Sequence, residues 1–171
     1  MQFANPKTFK TLENGYTKDD KYVFKKGGEI IKKADPKTFQ VLTYTYQRDK
    51  KNVFIPGEIT EIDVKSFKIL ECNNQGRKQK SLYATDKNYA YFQGKIIPNA
   101  DVKTFYLIES DAPYQTYAID KNKVYYSGKK LKDADPTTFK LNTNKTSSNY
   151  YDAKDKNYTY IRDKKTITKN K

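Results

Sequence analysis

The chain reads as an all-β tandem-repeat protein with short single-turn helices, and three observations predict that class. Two short motifs alternate five times along the 171 residues. The stretches between them are rich in β-branched and aromatic residues, the types that fit a pleated, half-buried surface. A glycine recurs a few residues after four copies of the second motif, at Gly27, Gly57, Gly94 and Gly128. Self-similarity of this kind marks an array whose units are too small to bury a core alone and must stack on their neighbours. Each unit is expected to be a short helical turn plus a three-stranded β-meander. The five are expected to stack as a solenoid-like or propeller-like array in a single repeat domain, with units at approximately 4–33, 34–61, 62–99, 100–133 and 134–171.

The first motif is Ala-Asp-Pro-Lys-Thr-Phe, clearest at Ala34 to Phe39 and present in variant form at Ala4 to Phe9, Ile62 to Phe67, Ala100 to Phe105 and Ala134 to Phe139. Its Asp can cap the free N–H groups of a helical turn. Pro follows without cost, because its missing N–H would be unpaired there and its fixed φ suits the turn. One helical turn then swings the aromatic ring inward. Phe9, Phe39, Phe67, Phe105 and Phe139 are therefore the expected anchors of the core. The residues that follow, such as Phe39 to Tyr46, have strand composition.

The second motif centres on Asp-Lys-Asn followed by an aromatic pair, as in Asp86 to Tyr91, Asp120 to Tyr125 and Asp155 to Tyr160. Asp accepts a hydrogen bond from its own backbone two residues on, and Asn tolerates the left-handed conformation of a tight turn. Asp19, Asp49, Asp86, Asp120 and Asp155 are thus read as structural turn residues. Asp20 beside Asp19, and Lys51 beside Lys50, break the pattern in the first two copies, where turns of different length are expected. Past the turn, Val124-Tyr125-Tyr126 reads as a second strand, with one ring pointing in and the next out. Ser127-Gly128 then reads as a two-residue turn into a third strand at Lys130-Leu131. The fifth unit has Asp163 at the glycine position, which predicts a frayed or terminal strand.

Spacing locates the variability. From each turn Asp to the next motif Phe the separations are 20, 18, 19 and 19 residues, whereas from motif Phe to the following Asp they are 10, 10, 19, 15 and 16. The first set is nearly constant, so nearly all the length variation falls in one slot. Its extra residues include Asn73 to Lys80 and Asn142 to Asn149, which are polar and turn-forming, and are expected to be loops. In repeat arrays, insertions at one slot often lie on the binding side.

Composition excludes several kinds of chemistry. There is no His or Trp and a single Cys, Cys72, so His acid/base catalysis, Cys-His pairs and zinc sites are unavailable within one copy. Each turn offers one Asp beside a cationic Lys, unlike a calcium loop, which gathers several oxygens within about a dozen residues. No spacing among the 20 acids singles out a facing pair for glycoside hydrolysis. No catalytic residue, metal or cofactor is assigned, and the chain is expected not to be an enzyme. With 16 Tyr and 9 Phe, aromatics reach 15% and supply a core that the remaining apolar residues alone would not.

A balance of 34 Lys+Arg against 20 Asp+Glu gives +14, a field that draws anionic partners within a Debye length of ~8 Å. Only Arg48, Arg77 and Arg162 are arginines. Arginine is the residue that forks onto phosphates and guanines, so sequence-specific DNA reading is not expected. An alternative source of the excess is an A/T-rich genome, since Lys, Asn, Ile and Tyr share A/T-rich codons and such a composition needs no ligand. Lysines near the end of the chain also guard an exposed strand edge. No apolar run approaches the ~20 residues that cross a bilayer. The first motif begins at Ala4 with no basic-then-apolar segment before it. The expectation is a mature region stripped of an export signal or a piece of a longer array.

Asp-Lys-Asn-Tyr-x-Tyr at 86–91 and 155–160, with Ala-Asp-Pro-x-Thr-Phe at 34–39 and 134–139, resembles the DKNYY family of bacterial repeat proteins. The resemblance spans all five units. It implies a repeat architecture and a bacterial, envelope or secreted setting, and it transfers no catalytic residue, since the family has no assigned activity.

The function expected from these features is a non-enzymatic binding or interaction module. Its candidate partner-binding residues are Arg77, Lys78, Lys80, Lys145, Tyr150 and Tyr151, all in or beside the variable slot. The expected partner is a protein or an anionic macromolecule. Two further readings are binding of a polyanion, nucleic acid or acidic polymer, and antagonism of a toxin or enzyme in a bacterial conflict system.

Overall fold

The computed structural model describes residues 4–55, 62–74, 76–108, 117–142 and 152–167. The architecture is all-β: five small antiparallel sheets, one per repeat. The chain divides into two compact bodies, Met1–Phe67 and Lys68–Lys171.

In the first body, β1 (Lys10–Thr11), β2 (Thr17–Lys18) and β3 (Val23–Phe24) form one three-stranded sheet, and β4 (Gln40–Val41), β5 (Gln47–Arg48) and β6 (Val53–Phe54) form the other. A single bridge from Phe24 to Ile30 stands where a fourth strand would follow. Three sheets of the second body are complete, four-stranded meanders. They are β7 (Lys68–Asn74), β8 (Arg77–Thr85), β9 (Ala90–Phe92) and β10 (Lys95–Ile96); β11 (Tyr106–Leu107), β12 (Tyr117–Ile119), β13 (Val124–Tyr126) and β14 (Lys129–Lys130); and β15 (Lys140–Leu141), β16 (Ala153–Lys154), β17 (Tyr158–Ile161) and β18 (Lys164–Ile167).

The expected three strands are present in the first two repeats and become four in the last three, but the meander is composed differently from expectation. The stretch after each motif Phe is not one strand but two, folded back on each other: Gln40 pairs Arg48 and Val41 pairs Gln47. Between them, Leu42 and Thr43 donate their N–H groups to the Tyr46 carbonyl at 2.9 and 3.0 Å. The Thr43 hydroxyl accepts from the Thr45 and Tyr46 N–H groups. Thr thus acts here as a turn-former, although its composition reads as strand.

The expected single-turn helices are also corrected. Asp35 accepts from the Thr38 and Phe39 N–H groups at 3.2 and 2.9 Å, after which the chain extends. One closed turn without propagation does not make a helix, since nucleation is unfavourable and no second turn repays it. The one helical segment among the described residues is the 3-10 turn Glu13–Gly15.

The fifth repeat is not frayed. β17 and β18 pair over four residues, from Tyr158 with Ile167 to Ile161 with Lys164. Its turn keeps one left-handed residue, Arg162 at φ 58°, in the place of Ser127, whereas Asp163 at the glycine position is not left-handed. At the matching turn of repeat four, Ser127 and Gly128 are both left-handed, as the hairpin geometry requires. Gly128 is needed for space as well, because a Cβ there would lie 2.5 Å from the Phe92 Cβ of repeat three.

The core is a succession of rings. In each repeat from the second to the fifth, a motif Phe meets a Tyr of the preceding repeat: Tyr16–Phe39 at 6.0 Å, Tyr46–Phe67 at 5.6 Å, Tyr83–Phe105 at 5.9 Å and Tyr117–Phe139 at 5.3 Å. Within a repeat the same Phe meets the third-strand aromatic, as in Phe105–Tyr125 and Phe139–Tyr160. Tilted pairs at these distances contribute about 0.5–1.5 kcal/mol each beyond the area they bury. Phe39, Phe67, Phe105 and Phe139 are buried. Phe9 departs from its expected place in the core: it is 36% exposed and packs on Phe24, with no Tyr among the described residues on its other side. Of the two rings expected to point one in and one out, Tyr125 is buried and Tyr126 is half-buried against Tyr117 at 4.9 Å.

Candidate functional site

Two sets of residues stand out: the carboxylates that recur at each reversal, and the cations in the variable slot.

The carboxylates form the same knot in every repeat. Each turn Asp donates its N–H to the carbonyl three residues on, from Asp19 to Tyr22 at 3.0 Å through Asp155 to Tyr158 at 2.9 Å. One carboxylate oxygen then accepts the N–H groups two and three residues on. At Asp120 these come from Asn122 and Lys123, both at 2.8 Å. Asp19 and Asp49 do the same with Lys21 and Tyr22, and with Lys51 and Asn52. The first two turns therefore have the length of the others, against expectation. What fixes the turn is the reach of one Asp side chain, so a change in the following residues leaves it intact.

The second oxygen reaches across to the first motif. It accepts the N–H of Asn5 at Asp19, of Asp35 at Asp49, of Asp101 at Asp120 and of Asp135 at Asp155, each at 2.9 Å. In repeats three to five it also accepts a tyrosine hydroxyl, from Tyr91, Tyr125 or Tyr160, at 2.7–3.0 Å. These Asp side chains are buried. For Asp120, burial pushes the carboxyl pKa up, but the Asp101 N–H, the Tyr125 hydroxyl and the turn N–H groups outweigh it and hold the group below its usual range. A carboxylate with both oxygens committed in this way is a staple and has no lone pair facing a ligand.

A second latch lies over the first. The motif Thr hydroxyl accepts the N–H of the residue after the turn Asp: Thr38 from Lys50, Thr104 from Lys121 and Thr138 from Lys156. The same three lysines pair with the motif carboxylates Asp35, Asp101 and Asp135 at 3.4, 3.1 and 2.9 Å. Repeat one replaces this ion pair with Asn5 Nδ2 donating to Asp20 Oδ1 at 3.0 Å. Asp20 also accepts the Thr8 hydroxyl at 2.7 Å. Both partners have changed and the contact survives.

The slot residues of repeat three are placed differently from the expected loop. Asn73, Asn74, Arg77 and Lys78 belong to a β-hairpin, with Asn74 opposite Arg77, Asn73 opposite Lys78, Cys72 opposite Gln79 and Glu71 opposite Lys80. Cross-strand pairing extends through the polar stretch because both strands run on from a buried base at Tyr83 to Thr85. Arg77, Lys78 and Lys80 are exposed on β8. Lys145, Tyr150 and Tyr151 lie outside the described residues. Among the described residues no cluster of three or more His, Cys, Asp or Glu could hold a metal ion, and no helix is long and apolar enough to cross a membrane.

Sequence reasoning missed the tyrosine three positions before each turn Asp. Tyr83 accepts the Gly128 N–H at 3.0 Å, and Tyr117 donates to the Arg162 carbonyl at 2.9 Å, so each hydroxyl grips the last turn of the next repeat. The fixed spacing in Tyr16, Tyr46, Tyr83 and Tyr117 is the signal that marks them. Repeat five has Asp152 there, and its carboxylate accepts the Arg162 N–H at 2.8 Å.

One sheet unit copied five times, closed in each copy by a buried carboxylate and joined ring to ring within each body, defines a tandem β-repeat protein. The chain belongs to the DKNYY family, whose model matches residues 1–58, 55–129 and 99–167. No curated protein and no solved structure matches it.

Proposed function

We propose that the chain is a non-enzymatic binding module of the envelope or secreted fraction. In this reading the carboxylate knots and ring contacts are the frame, and recognition belongs to the slot between the first and second strands of a repeat. Within each body the repeats follow one another in a solenoid-like succession, carried by the Tyr-to-Phe contact. The observation that supports this most is the β7–β8 hairpin: the slot that varies in length from repeat to repeat is here filled by ordered strands presenting Arg77, Lys78 and Lys80 to solvent. A rigid strand pair loses less entropy on binding than a free loop of that length. Its cations suit a partner surface of opposite sign, where charge sets encounter rate and specificity.

The test replaces Asn73 to Lys78 with Asn-Gly, closing the hairpin at Cys72 and Gln79, and compares capture of partners by the parent and trimmed chains. Loss of a captured protein on trimming, with restoration when the hairpin is returned, is the expected result. Equal capture by the two chains would remove the hairpin from recognition.

A further inference from the structure

We propose that the first body carries a second binding site, a lysine-lined trough that takes a phosphodiester chain. This site shares no residue with the β7–β8 hairpin and does not rest on it. The trough is an open depression of about 1110 Å³ whose wall includes Lys25, Lys26, Lys32, Lys33, Lys51 and Tyr44.

Charge is the first argument. Lys50, Lys121 and Lys156 spend their charge on neighbouring carboxylates. Around the trough only Lys25 does so, with Glu29 at 3.0 Å. Lys26, Lys32, Lys33 and Lys51 are exposed and make no ion pair among the described residues. Four uncompensated ammonium groups about one concavity make a local positive potential, and low-dielectric walls focus it.

Order is the second argument. The backbone beneath these side chains is pinned. Lys25 donates its N–H to Glu29 and accepts from Gly28. Lys33 is left-handed at φ 67°, and its carbonyl accepts Asn52 Nδ2 at 3.4 Å. Lys51 donates its N–H to Asp49 at 2.7 Å. The backbone attachment points of Lys33 and Lys51 are thus set before a ligand arrives, and the ammonium groups reach from there on flexible stems.

The ligand class follows from the groups present. Ammonium groups are compact point charges without the guanidinium fork, so they match single, spaced negative charges better than paired carboxylate oxygens. An open trough fits a chain that passes through rather than a small molecule that is enclosed. Tyr44 is 81% exposed and offers a ring face on which a base could stack.

The experiment uses the full chain, with fluorescein-labelled oligothymidylate and labelled poly(glycerol phosphate), in anisotropy titrations from roughly 50 to 300 mM salt. Binding through four phosphate contacts gives a slope of log K against log salt of about −3, at ~0.7 per contact for single strands. Substituting Lys26, Lys32, Lys33 and Lys51 to Gln is expected to weaken binding about tenfold or more and to flatten the slope. A matched variant with Lys129, Lys130, Lys140 and Lys154 changed to Gln loses the same net charge and is expected to lose about twofold at most. Both variants are checked for an unchanged near-ultraviolet tyrosine spectrum. Tyr44→Ala separates the two sources of the chemistry. Selective loss of oligothymidylate assigns a nucleic-acid strand, and equal retention of both polymers assigns a base-free polyphosphodiester. The proposal is overturned if neither polymer binds at low salt, or if the two Gln variants lose affinity equally, which would reduce the effect to overall charge.

Discussion

At Asp120 one carboxylate answers four donors, the N–H groups of Asp101, Asn122 and Lys123 and the Tyr125 hydroxyl, while the residue is 2% exposed. Removing the acceptor leaves all four unpaired away from water, and each such group costs about 1–3 kcal/mol. Some relaxation toward solvent is available at the turn, so Asp120→Ala is expected to cost about 3–5 kcal/mol. Tyr125→Phe removes one donor and keeps the ring, and repeats one and two already have Phe24 and Phe54 at that position. Its expected cost is only about 1 kcal/mol. Urea unfolding followed by tyrosine fluorescence gives both values. An Asp120→Ala chain as stable as its parent would show that the knot is not what closes the repeat.

The element scale explains why some of this was readable and some not. The five reversals are legible because an Asp side chain bonding its own next residues is a local device, contained in four consecutive positions. The strand leading into each Asp is not legible. At two or three residues, segments such as Thr17–Lys18 or Ala153–Lys154 are too short to show a period of two. The β7–β8 hairpin hides for another reason: on β8 four successive residues, Arg77 to Lys80, are exposed, so that strand lacks the apolar alternation that marks a half-buried strand. Of the candidate site, Arg77, Lys78 and Lys80 were found as exposed cations in the slot, whereas the trough was not. Its lysines come from two repeats, and only folding brings 25–26, 32–33 and 51 together. The hairpin tip also has a defined energetic role, which is small. Arg77 to Lys80 are exposed, and the buried Asn73 Oδ1 has no hydrogen-bond partner among the described residues, itself a cost. Replacing Asn73 to Lys78 with Asn-Gly is therefore expected to change stability by less than about 1 kcal/mol, measured in the same urea titration. A much larger loss would mean that the tip supports the sheet.

For the molecule as a whole, titration should leave a broad plateau of stability with a limb at each end. The chain has no His, so the side chain that ordinarily titrates between pH 5 and 8 is missing. On the acid side, burial pushes the Asp19, Asp49, Asp120 and Asp155 carboxyls up, but the backbone N–H groups they accept hold each one below its ordinary value. An unfolded Asp titrates near ~3.9, so below about pH 4 the unfolded chain binds more protons than the folded one and stability falls as pH falls. On the alkaline side, burial raises the Tyr83, Tyr117, Tyr125 and Tyr160 hydroxyls, with Asp152, Asp120 and Asp155 adding to it at the last three. These phenols stay protonated in the fold when an unfolded Tyr, near ~10, has begun to ionise. Their contribution is intact below about pH 10 and is lost as pH rises beyond it. Thermal midpoints by circular dichroism at constant salt should accordingly be flat from roughly pH 5 to 9 and drop on both sides. Asp120→Asn combined with Asp155→Asn should shallow the acid limb and, because burial rather than these carboxylates is the larger cause at Tyr125 and Tyr160, only soften the alkaline one. A midpoint that moved between pH 5.5 and 8 would require a titrating group that neither the buried carboxylates nor the tyrosines supply.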